Sequence, residues 1–160
     1  MKFICFTLQI CRAGAALSSQ GTSRFTEYQR KEEPKMTIRE CYNKLGGSLE
    51  QAEKRFPNAA FIKRFIAKFP DDGSFAELCG AMQNGKRADA FRAAHTLKGV
   101  CANLSFDRLF SSAESLTELL RHETEVIPRE AFSLLENVKK DYEITVDAIH
   151  TYLASEDGQR

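Results

Sequence analysis

From Met36 onward apolar residues recur every three to four positions, and no stretch alternates apolar and polar with period two, so the chain reads as helices throughout. The first predicted helix covers Thr37 to Leu45 and stops at Gly46-Gly47. A second runs from Ser48, its cap, to Arg55. A third, Asn58 to Phe69, carries Phe61, Ile62, Phe65, Ile66 and Phe69, all read as core. Asp71-Asp72-Gly73 predicts a turn, after which Ser74 and Glu77 form a capping box for a helix over Phe75 to Gln83. Asn84-Gly85 ends that helix. The next runs from Arg87 to Leu104. After it, Phe106, Leu109, Phe110, Ala113, Leu116, Thr117 and Leu120 share one side of a further helix. Pro128 opens the last helix. Its apolar residues Ala131, Leu135, Val138, Tyr142, Thr145, Ile149 and Leu153 are spaced near three and a half positions, which suits shallow packing against antiparallel neighbours. The expected fold is all-α: an antiparallel up-down four-helix bundle with short additional N-terminal helices.

Within the Arg87 to Leu104 segment, Ala90, Ala94, Leu97, Cys101 and Leu104 make one apolar stripe, and His95 lies well away from its centre. Lys98, Gly99 and Ala102 fall on the His95 face, three, four and seven positions on. A glycine inside a helix costs about 1 kcal/mol relative to alanine, so Gly99 needs a reason. With Ala102 it leaves the backbone low beside the imidazole, so a bulky partner can come close. Lys98 brings a positive charge within reach of whatever His95 carries.

His95-Thr96-Leu97-Lys98-Gly99 resembles the H-x-x-K-G core of histidine-containing phosphotransfer (HPt) domains of bacterial multistep two-component signalling. Phe91-Arg92-Ala93-Ala94 before it and Ala102-Asn103-Leu104 after it look like the usual surroundings, and Met36 to Leu153 has the length and helix spacing of such a domain. Many members have glycine where this chain has Ser105, a residue suited to capping the next helix. The resemblance implies that His95 is the phosphoacceptor, Lys98 the electrostatic aid to the phosphoryl group and Gly99 the clearance, with Gly99, Ala102, Phe91 and Arg92 as docking residues. It implies a relay intermediate: a phosphoryl group passes from a receiver-domain phosphoaspartate to His95 and on to another receiver aspartate. The partners are then response-regulator receiver domains, with a hybrid histidine kinase as a further candidate.

The residue types suit this chemistry. Histidine, with an ordinary pKa near 6.5, offers free imidazole at neutral pH and needs no dedicated base to act as nucleophile. Phosphoryl transfer is mostly in-line positioning and charge neutralisation. No carboxylate cluster accompanies His95 in the sequence, so no cofactor is expected on this chain and the Mg²⁺ belongs on the receiver. No glycine-rich nucleotide loop is present, which argues against autonomous kinase activity. His122 and His150 lack the lysine-glycine context and form no metal-ligand spacing with His95. The competing reading is a helical adaptor that binds receiver or kinase domains without transfer.

Composition adds bounds. The chain has 160 residues, 42% hydrophobic with 12 Phe, and a formal net charge of +1 from 23 basic and 22 acidic residues. One domain is expected, with neither a nucleic-acid nor a membrane surface. The five cysteines are an odd number with no C-x-x-C pair, so a reducing, cytoplasmic setting is expected. Cys79 and Cys101 read as small core residues. A monomer is expected. Residues 1–35 read as a disordered or non-native leader, with Met36 an alternative start. The run from Phe3 to Cys11 is too short to span a bilayer, Arg12 breaks its likeness to a secretory signal, and Ile10 before Cys11 makes a poor lipoprotein box. The bundle is expected over 36–154 and a disordered tail over 155–160.

Overall fold

The first three helices start where a short polar side chain accepts an early amide hydrogen. Thr37 and Glu40 form a reciprocal capping box: the Glu40 amide donates to Thr37 Oγ1 at 3.2 Å, and the Thr37 amide to Glu40 Oε2 at 2.6 Å. It opens α1 (Ile38–Leu45). Ser48 caps α2 (Leu49–Arg55) and Asn58 caps α3 (Ala59–Lys68). A 3₁₀ turn over Phe69–Asp71 leads to α4 (Ser74–Gln83), then α5 (Arg87–Leu104), α6 (Asp107–Arg121) and α7 (Arg129–Asp157). The computed structural model describes residues 35–121 and 126–157, all within one unit spanning Glu32–Arg160. Among them there is no strand, so the fold is all-helical as the periodicity predicts. The leader up to residue 34, with its Phe3 to Cys11 run, and His122 lie outside the described residues.

The core follows the expected stripes of α5, α6 and α7. Ala90, Ala94, Leu97, Cys101 and Leu104 are buried, joined by Ala93. Small side chains on α5 let α4 and α6 pack closely on either side of it. α7 packs on α6 and α1, burying Ala131, Leu135, Val138, Thr145 and Ile149. An aromatic chain crosses the interior. Tyr42 meets Phe106 at 5.9 Å between ring centroids, Phe106 meets Phe69 edge-on at 5.1 Å, and Phe69 meets Tyr142 at 5.6 Å. Tyr142 in turn stacks on Phe75 of α4 at 3.8 Å and 9°, tying α7 to α4. Each such pair contributes about 0.5–1.5 kcal/mol beyond area burial.

Four expectations need correction. Phe61 and Phe65 are 45% and 44% exposed. Helix α3 buries only Ile62 and Ile66, because α2, α5 and α7 each touch it only lightly. Phe65 packs on Phe56 at 5.2 Å, and both line an open groove with Val100 and Leu104. Ser105 does not cap α6. It ends α5 in the left-handed conformation, φ 56°, where glycine is the residue of least strain, and its hydroxyl accepts Arg55 Nη1 at 2.8 Å. Ser74 is the first residue of α4 rather than its cap; Asp72 Oδ1 accepts the Ser74 amide at 3.0 Å. Cys79 is half-buried, at the edge of the core.

Two turns lock the base of the bundle. The Ser48 amide donates to the Ser105 carbonyl at 2.9 Å, and the Arg108 amide to the Gly46 carbonyl at 3.0 Å. A Cβ on Gly47 would stand 2.4 Å from the Ser105 carbonyl oxygen, so this approach admits only glycine. At the far end α7 runs to Asp157, three residues past the expected bundle edge, and Ser155 Oγ donates to the Met36 carbonyl at 3.1 Å. Residues 158–160 are outside the described part.

Candidate functional site

Helix α5 can present a histidine because its other face is held from both sides. Its C-terminal carbonyls, which have no partners within the helix, are satisfied from outside. The Phe106 amide donates to Cys101 O at 3.0 Å, the Arg55 guanidinium donates to Ala102 O, and the Tyr42 hydroxyl donates to Leu104 O at 2.9 Å. His95 is exposed on the opposite face.

The residues singled out from the sequence sit together around it. Phe91, one turn before, is half-buried, with its ring centroid 6.1 Å from that of His95. Arg92 is exposed and pairs with Asp89. Gly99, one turn after His95, is exposed, and a Cβ built there meets nothing within 4 Å. Neither packing nor backbone conformation among the described residues therefore requires glycine at 99. Ala102 is half-buried.

Lys98 is less accessible than a surface lysine. Its side chain is 16% exposed, and its ammonium lies 3.7 Å from Glu118 Oε1 on α6. The same oxygen accepts Arg121 Nη2 at 2.8 Å. The Arg121 hydrogen bond, with Lys98 adding to it, holds the Glu118 carboxyl below the usual carboxylate range. Sequence reading missed Glu118, which sits 20 positions from Lys98 on another helix; only knowledge of how α5 and α6 pack reveals it.

Among the described residues the two buried thiols resist ionisation. Burial pushes Cys41 up to about 11 and Cys101 up to about 12. His150 is exposed on α7. Among the described residues no group of three or more His, Cys, Asp and Glu side chains is placed to hold a metal ion. No described helix is long and apolar enough to cross a membrane.

An exposed imidazole on a braced helix has a cation three positions on and open space above a glycine four positions on, so a bulky group has access to it. A family model for the Hpt domain matches residues 60–151, from the first turn of α3 into the last turns of α7. No curated protein and no solved structure matches. The match covers more than half of the chain and contains the whole of α5, so this chain belongs to the Hpt domain family, whose role is phosphotransfer in two-component signalling.

Proposed function

We propose that this chain is a phosphorelay intermediate in which His95 takes a phosphoryl group from a receiver-domain phosphoaspartate and passes it to another receiver aspartate. The unprotonated ring nitrogen attacks phosphorus. An N–P bond forms, the P–O bond to the aspartyl carboxyl breaks, and the carboxylate leaves with the electron pair. The proton on the other ring nitrogen is then free to exchange with solvent. Transfer onward reverses these steps on a second aspartate. Lys98 offsets charge on the phosphoryl oxygens, and Gly99 leaves room for the receiver's active site. Phe91, Arg92 and Ala102 form the contact surface around it. The chain has no kinase activity of its own; the Mg²⁺ resides on the receiver.

The carrying observation is the exposed His95 beside a glycine that nothing among the described residues requires. The rest of the reading is consistent with it. The relay domain covers residues 36–157, to the end of α7, and acts as a cytoplasmic monomer. Helices α4–α7 run up and down as an antiparallel bundle, with α1–α3 as additions. Short links between α4 and α5 and between α5 and α6 support that arrangement, as does the Phe75–Tyr142 stack between α4 and α7.

The test is a panel of phosphorylated receivers from the same genome, offered to wild type and to His95→Gln, with binding measured alongside. Label on wild type alone is the expected result. Binding by both proteins without label on either, the receivers being competent, would replace the relay with the adaptor.

A further inference from the structure

Lys98 is the least accessible charged side chain around His95, and it is held from another helix. Its stem lies in the seam between α5 and α6, leaving 16% of the side chain exposed, and its ammonium reaches Glu118 Oε1 at 3.7 Å. Glu118 is itself anchored along α6, since Arg121 Nη2 donates to that same oxygen at 2.8 Å. The two contacts differ in kind. Arg121 makes a hydrogen bond; Lys98 sits beyond hydrogen-bond length, at ion-pair distance.

We propose that Glu118 is a positioning residue for phosphotransfer: with Arg121 steadying its carboxylate, it keeps the Lys98 ammonium at the α5–α6 seam beside His95 before the phosphoryl group arrives. The inference rests on His95 being the phosphoacceptor. A lysine side chain has four carbons and many rotamers, and ordering it during the reaction costs entropy that prior placement avoids. An ammonium also has three donors, so an ion pair on one side leaves others to meet phosphoryl oxygens. The strong contact to Arg121 matters because it satisfies the carboxylate. Glu118 thus attracts Lys98 enough to place it without the short bond that would hold it back.

The experiment is a double-mutant cycle on the full chain, following transfer from a phosphorylated receiver at saturating and limiting receiver concentrations. Glu118→Ala should lower the maximal transfer rate about two- to fivefold, the range expected of a half-exposed ion pair, and leave the half-saturating receiver concentration unchanged. Glu118→Gln, which keeps an oxygen acceptor on the same stem, should recover part of the loss. In a Lys98→Ala background, Glu118→Ala should have no further effect. A Glu118→Ala rate equal to or above wild type overturns the proposal, as does the same fractional loss with and without Lys98. A loss confined to half-saturation would make Glu118 a docking residue instead. Wild type and His95→Gln run in the same assay. A wild type that takes no label removes the relay reading and this proposal together, whereas a labelled wild type with an indifferent Glu118→Ala removes this proposal alone.

Discussion

The Tyr42 hydroxyl on α1 donates to the Leu104 carbonyl on the last turn of α5, at 2.9 Å and out of contact with water. A helix outside the residues matched by the family thus finishes the helix that carries His95. Removing the hydroxyl leaves a buried carbonyl unpaired. Tyr42→Phe should lose about 1–2 kcal/mol of stability, read as a lower urea midpoint with an unchanged slope. Phosphotransfer by the folded fraction should persist. An unchanged midpoint would mean water or another donor replaces the tyrosine.

Gly99 offers a test in which stability and function move in opposite directions. A Cβ there meets nothing within 4 Å among the described residues, so Gly99→Ala should stabilise the isolated protein by up to about 1 kcal/mol through helix propensity. Gly80, likewise in open space within α4, gives the propensity effect alone for comparison. On the relay reading the added methyl stands in the receiver's path, so Gly99→Ala should slow transfer by about an order of magnitude or more. Unimpaired transfer would discard the clearance role.

Lys98→Ala removes a charge from the surface beside His95 while leaving the core stripe intact. Transfer should slow about tenfold, or the phosphohistidine should decay faster, since a charge-assisted contact to the phosphoryl oxygens is lost. Thermal stability should change little, the Glu118 ion pair being partly exposed and screened. If both rate and lifetime stay at wild-type values, the electrostatic role is wrong.

How much could be read in advance depended on the distance over which the determining contact acts. Helix limits rest on neighbours three or four positions apart: the cap at Ser48 lies where the sequence places it, and Thr37 and Asn58, read as first helical residues, cap helices that begin one position later. His95, Lys98 and Gly99 share one helix, so their common face was legible as well. Phe61 and Phe65 were misread because periodicity marks an apolar face without saying how much of it neighbouring helices cover. Ser105 was misread because a left-handed helix end depends on the turn from Gly46 to Ser48 packed against it, 57 or more positions away. Glu118 was invisible for the same reason.

The buried thiols make a prediction about packing. With pKa values near 11 and 12, Cys41 and Cys101 hold only about one thiolate in 10³ to 10⁴ at pH 8, and both are sterically enclosed. In native protein, alkylation mapped by peptide mass spectrometry should spare both and modify Cys79 faster. In denaturant all five cysteines of the chain should react. The folded-state pKa values lie above those of the unfolded thiols, so ionising them opposes folding: stability should fall as pH rises above about 9. Rapid native labelling of Cys101 would contradict the packing of α5.

The central claim is that His95 carries the phosphoryl group, and the most direct measurement locates it. Full-length protein is incubated with a phosphorylated receiver and Mg²⁺, digested under alkaline conditions and sequenced by tandem mass spectrometry. The account predicts one phosphorylated residue, His95, with a modification stable to alkali, lost in acid and absent from His95→Gln. A phosphoryl group on His150 or His122, or none on a folded wild type facing a competent receiver, would contradict it.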